Sequence, residues 1–166
     1  TSSMTQIAFY GELAPQLDIL SVGYILTAFQ QMGWVWRLNQ RFSTAQIAEQ
    51  LGIVSQHQRL LGRLLEILAT EKIIQLIGNQ WTVVLIPPDR EQPQAHINRL
   101  LTEYPAAQAE LTWLARCGNQ LAEVLRGKCD PLQLLFPDGD LTTATQLYQE
   151  SPGAQVMNTL VQKAIL

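Results

Sequence analysis

Between residues 17 and 32, apolar side chains recur almost all the way round the helical repeat: Leu17, Ile19, Leu20, Val22, Tyr24, Ile25, Leu26 and Phe29, with no proline among them. A stretch of that length with so little polar face predicts a buried helix. Further on, Ser43 with Gln46 three residues later is a capping-box signature, and Ile47 and Leu51 follow at helical spacing. Gly52 stops this short helix, with Ile53 and Val54 packing the turn. A second box, Ser55 with Gln58, opens a longer helix that carries Leu60, Leu61, Leu64, Leu65 and Leu68. Two short strands are predicted next, at 72–77 and 80–85, joined by Gly78-Asn79, a pair suited to a two-residue hairpin turn. Helix, short helix, turn, longer helix and hairpin is the order of a winged helix, expected over residues 42–85. A hairpin this small is unstable alone and must lay its apolar residues on the helices.

The pattern breaks at Ile86-Pro87-Pro88-Asp89 and the polar run that follows, where Pro87, Pro88 and Pro93 deny backbone donors and disfavour helix. This break divides the chain into a winged-helix-like part, 1–86, and a helical part, 87–166. In the second part, helices are expected at 95–103, 106–117 and 119–126, the last closed by Gly127. A short apolar turn follows at 132–136, then a loop at 137–140 and a helix at 141–150. A final helix from about residue 154 aligns Met157, Leu160, Val161, Ala164 and Ile165 on one face. That apolar stripe has no later segment to pack on, so the natural polypeptide is expected to continue. The fold class expected is mainly α, with a β-hairpin as its only sheet. Thr1-Ser2-Ser3 takes no part in this reading.

Composition narrows the function. Hydrophobic residues make up 47% and charged residues 15%, enough to bury a core and too apolar for a disordered chain. Eleven Lys+Arg against fourteen Asp+Glu give a net charge of −3, unlike the basic balance of a generic polyanion binder. Two cysteines, Cys117 and Cys129, make neither a disulfide framework nor a four-ligand zinc site by themselves. The apolar stretch at 17–36 is interrupted by Asp18, Gln30 and Gln31, short of a membrane span. No Lys or Arg precedes Arg37, so the positive region of a signal peptide is missing. A reduced, cytoplasmic protein is the simplest expectation.

A winged helix first suggests DNA, with residues 55–70 as recognition helix and Gln56, His57, Arg59, Arg63 and Lys72 as its contacts. From residue 34 to 85 there are five basic residues (Arg37, Arg41, Arg59, Arg63, Lys72) against three acidic ones (Glu49, Glu66, Glu71). That difference of +2 is a weak footprint for phosphate binding, and the wing tip Gly78-Asn79-Gln80 carries no cation. Packing or dimerisation is the favoured use of such a domain. Catalytic candidates are sparse. His57 and His96 sit in no ligand pattern; His57 is expected at the surface or as a cap, and His96 opens a helix. Both cysteines are expected to be buried structural thiols. Asp138 and Asp140, flanking a glycine, read as a solvated turn. No serine-hydrolase elbow or P-loop is present. No two glycines lie two positions apart, so the G-x-G cradle of a dinucleotide or adenosylmethionine site cannot form, and a complete Rossmann enzyme is excluded.

The run Asp130-Pro131-Leu132-Gln133-Leu134-Leu135-Phe136-Pro137-Asp138-Gly139, then Leu147-Tyr148, Ser151-Pro152 and Asn158, resembles a stretch in methyltransferase domains of modular polyketide synthases. In that family it lies just upstream of the adenosylmethionine-binding core and after a helical lid. The resemblance implies the N-terminal lid or adaptor region of such a domain, including the vestigial pseudo-methyltransferase of some loading modules. It implies no catalytic residues and no metal in this chain, and S-adenosylmethionine only in a parent that has the core. It points to Tyr148 and Asn158 as residues that would face that cofactor or the tethered acyl chain once the core is present; a phenol and a carboxamide can orient an amino-acid moiety by hydrogen bonds. Gln155 and Met157 depart from the basic or aromatic residues expected in active members. The partners implied are the methyltransferase core or a GNAT-like loading domain, and the acyl carrier protein. A homodimer remains open, and a winged-helix DNA-binding regulator is the alternative function.

Overall fold

The structure, a computed structural model, describes residues 2–87 and 91–130, and of residues 2–10 the backbone alone. The expected elements at 132–136, 137–140, 141–150 and from 154 lie outside the described residues. So do Asp138, Asp140, Tyr148 and Asn158.

The first helix, α1 (Ser2–Gln31), is much longer than its apolar pattern and runs through Pro15. Proline removes the bond to the carbonyl four residues back, here that of Gly11. Gly11 and Pro15 are both exposed, so the loss falls on the side that faces water. From Leu17 onward the expected burial holds, except at Ile19, which is 54% exposed.

A two-residue strand, β1 (Arg41–Phe42), comes next and is too short to show as alternation in the sequence. Helix α2 (Thr44–Leu51) begins on the expected box: Gln46 N–H donates to the Ser43 hydroxyl at 3.1 Å, and the Gln46 side chain accepts from Ser43 N–H. It ends at Gly52, whose φ of 71° lets Ile53 N–H return to the Ala48 carbonyl at 2.9 Å. The second box does not form. Residues Ser55–His57 make a 3-10 turn instead, and α3 (Gln58–Thr70) starts behind it with no side-chain cap.

Helix α3 buries Leu60, Leu61, Leu64, Leu65 and Leu68 completely, each contributing roughly 1.5–3 kcal/mol of transfer free energy. The hairpin follows as β2 (Ile74–Ile77) and β3 (Gln80–Val83), turning at Gly78-Asn79 with Gly78 at φ 64°. Both strands are shorter than expected. Lys72 begins no strand because it closes α3 in the left-handed region, at φ 65°. The sheet has three antiparallel strands in the order β1-β3-β2, with Phe42 opposite Trp81 and Ile74 opposite Val83. The hairpin is therefore the larger part of a sheet, not the whole of it.

Past the proline-rich break, α4 (Pro93–Glu103) starts with proline in its first turn, where no N–H is needed. A 3-10 turn (Pro105–Ala107) leads into α5 (Gln108–Asn119), and α6 (Leu121–Leu125) ends at Gly127. One hydrophobic cluster draws on both sides of the break, from Leu20, Ile25 and Phe29 to Ile97, Leu114 and Leu125. Helix α1 is its axis and packs on α3, α4, α5 and α6. The result is mainly helical with one small antiparallel sheet.

Candidate functional site

The longest exposed stripe on α3 comes from residues the helix has no use for inside. Arg59, Gly62, Arg63 and Glu66 recur at i, i+3, i+4 and i+7, opposite the leucines, and the two arginines and Glu66 are exposed. Gln56 and Lys72 are also exposed. His57 is not: it is 6% exposed, which corrects the surface position expected of it, and although it stands at the N-cap of α3 its side chain makes no cap hydrogen bond. The reason is register. His57 precedes Leu60, Leu61 and Leu64 by three, four and seven residues, so the turn that leads into α3 carries it onto the apolar side. Its Nε2 lies 3.5 Å from the Gln56 side-chain amide. The expected recognition set thus splits, with four members facing out and one facing in.

A second feature, unseen in the sequence, is a cleft of about 190 Å³ where α1, α4 and α5 meet. Tyr24, Thr27 and Gln31 line it from α1, Gln92, Pro93 and Gln94 from the start of α4, and Gly118 with Asn119 from the end of α5. Gly118 permits this junction. A Cβ there would stand 2.4 Å from Cγ of Tyr24, so the ring lies directly on the glycine backbone. Burial raises the Tyr24 phenol to about 12, and its hydroxyl has no hydrogen-bond partner among the described residues. The polar lining is amide and hydroxyl. It offers hydrogen bonds and no general acid or base near neutrality.

Near this junction His96 is buried, and its Nε2 sits 3.0 Å from Oε1 of Gln16, tying α4 to α1. Burial lowers its pKa, with Glu91 and Glu103 opposing and Arg99 adding to the shift. Cys117 is fully buried, and burial pushes its thiol up to about 12. Cys129 is half-buried and also raised, by burial and then by Asp130 and Glu123. Neither thiol is poised as a nucleophile. Among the described residues, no three His, Cys, Asp or Glu side chains are grouped to hold a metal ion. None of the described helices is long and apolar enough to cross a membrane. The described strands form a small antiparallel sheet with no glycine-rich loop leading from strand to helix, so these residues do not fit the adenosylmethionine cradle.

Comparison with known proteins agrees with this architecture. Residues 2–81 match the family described as "Methyltransferase, Helix-turn-helix domain". The citrinin polyketide synthase of Monascus ruber is 27% identical over 146 residues, which are 87% of this chain and 6% of that protein. The non-reducing polyketide synthase pkdA of Emericella nidulans is 30% identical over 149 residues, again 87% of this chain and 6% of that protein. Among solved structures, the CurJ carbon methyltransferase superposes with a TM-score of 0.76 at 44% identity, over 93% of this chain and 42% of that one. The CMeT domain of the citrinin polyketide synthase shares the fold, with a TM-score of 0.68 at 22% identity over 94% of this chain and 40% of that one.

Proposed function

The chain is homologous to the N-terminal region of polyketide synthase carbon-methyltransferase domains, and from that premise we propose that it is a non-catalytic lid or adaptor serving acyl chains carried on an acyl carrier protein. The observation that carries this reading is the superposition on 42% of the CurJ methyltransferase, combined with an interior of aliphatic residues, raised thiols and a buried neutral imidazole. A lid contributes by excluding water and shaping the path of a substrate, work that needs packed helices and no nucleophile.

In this reading the cofactor S-adenosylmethionine belongs to a methyltransferase core outside the described residues, and Tyr148 and Asn158 face it or the acyl chain only when that core is present. The neighbouring domain is that core or a GNAT-like loading domain, where the adaptor would support chain initiation. The division at the proline-rich break would then separate a winged part, 1–86, from the helical part, 87–166, that leads into the neighbour.

Titration of the 166-residue chain with S-adenosylmethionine in a calorimeter tests the proposal. No heat of binding is expected, whereas micromolar binding or methyl transfer by this chain alone would reject it. A salt-dependent gel shift on duplex DNA would favour the regulator instead.

A further inference from the structure

Tyr24 carries a hydroxyl that the fold leaves unused. The residue is 2% exposed, its hydroxyl is closed off from water, and no described residue bonds to it. A buried donor in that state has lost its hydration and gained nothing in exchange. Phenylalanine would fill the same space without that loss. The ring is fixed at its root, where a Cβ on Gly118 would strike Cγ and both Cδ carbons. Burial pushes the phenol pKa up to about 12, so the hydroxyl keeps its proton and can only serve as a neutral donor or acceptor.

The cleft that Tyr24 lines has matching chemistry. Helix α4 opens there at Gln92 and Pro93 with no side-chain cap, so the N–H groups of Gln94 and Ala95 lack an intrahelical partner. Gln31 and Asn119 are exposed at the rim and add amides that can turn toward a ligand. The cleft thus gathers donors from α1, α4 and α5. No charged side chain lines it among the described residues. A carboxylate or phosphate would be stripped of water there with no cation in return, whereas a neutral carbonyl oxygen suits such donors.

We propose that the α1–α4–α5 cleft binds a carbonyl group of a neutral, chain-like ligand, with the Tyr24 hydroxyl as its donor. This rests on the adaptor reading above, which supplies the ligand, an acyl chain on its carrier, and adds the site that holds it. A volume of about 190 Å³ is below that of pockets enclosing a whole small molecule, so the cleft receives one segment of the chain. The rim amides turn aside to admit that segment to the hydroxyl, while Gly118 keeps the ring in place.

The test titrates the 166-residue chain with the acetoacetyl thioester of N-acetylcysteamine, and separately with N-acetylcysteamine, following backbone amides by two-dimensional NMR. Saturable shifts are expected at Tyr24, Gln94 and Asn119, at millimolar concentrations because the probes are small. Stronger binding of the thioester assigns the bound carbonyl to the acyl chain; equal binding assigns it to the amide of the tether, and either result supports the cleft. Tyr24→Phe should weaken binding about tenfold while raising the melting temperature by roughly 2–4 °C, since the unpartnered hydroxyl is gone. Unchanged binding in that variant would overturn the proposal. So would a lowered melting temperature, which would show the hydroxyl to be bonded within the fold. No saturable shift at the cleft with either probe would overturn the site and leave the adaptor reading standing, because that reading is decided by the titration with S-adenosylmethionine.

Discussion

Lys72 occupies a position that chemistry would give to glycine. It closes α3 at φ 65°, with Ile73 N–H returning to the Leu68 carbonyl at 2.9 Å, the same closure Gly52 makes behind α2. A side chain in the left-handed region costs about 1–2 kcal/mol. Lys72→Gly should therefore raise stability, by about 1 kcal/mol in urea unfolding, and an unchanged midpoint would show that the lysine is not strained. His96 acts in the opposite sense. Burial lowers its pKa, so the folded chain holds the neutral ring more tightly than the unfolded chain does. Its stabilising effect is complete above the ordinary histidine pKa of about 6.5 and is lost as pH falls through the lowered folded value. Unfolding midpoints measured from pH 7.5 to 5 should fall, and His96→Gln should flatten that slope. Neither residue advertised itself: a lysine at the start of an expected strand and a histidine after a loop are ordinary in sequence, and only backbone angle and burial set them apart.

At the scale of elements, local signals were reliable where their hydrogen bonds are local. Ser43 and Gln46 bond to each other across one turn, so that capping box could be read directly. Ser43→Ala should destabilise the chain by about 1 kcal/mol in thermal or urea unfolding, because α2 then loses the acceptor for Gln46 N–H. Ser55 and Gln58 carry the same signature, but there the chain makes a 3-10 turn, with Val54 N–H held by the Leu125 carbonyl at 3.0 Å. A partner 71 positions away in sequence outranks a local motif. The extra strand β1 has a similar origin. An aromatic cluster draws residues 41 and 42 against the wing: Trp34 meets Phe42 edge-on at 5.2 Å, and Trp36 stacks on Phe29 at 5.4 Å. Trp81 on β3 then donates to the Thr44 hydroxyl at 3.0 Å, fastening the sheet to α2.

In the whole molecule, Arg126 joins the two sides of the proline-rich break. Its Nε donates to the Leu51 carbonyl at 3.1 Å and its Nη2 to the Met32 carbonyl at 3.0 Å, so one cation caps the ends of both α1 and α2. Arg126→Met keeps the apolar stem of the side chain and removes both bonds. It should cost roughly 2–3 kcal/mol, read as a lower urea midpoint with the slope unchanged if both sides unfold together. A second transition in that variant would show that the clamp also supplies cooperativity. The adaptor reading depends on this rigidity, since a cover that shapes a substrate path must hold its helices in register with one another.

The order of helices and hairpin, the leucine face of α3, the stop at Gly52 and the turn at Gly78 were all determined by sequence, because each depends on periodicity or on backbone chemistry within a few residues. The inward rotation of His57 could also have been read from its spacing to Leu60 and Leu64. Tertiary structure alone decided that α1 serves both sides of the break, that Gly118 yields its side-chain space to the ring of Tyr24, and that Arg126 reaches Met32. Those contacts join positions 94 residues apart, and no periodicity spans such a distance; only the folded chain brings the partners within bonding range.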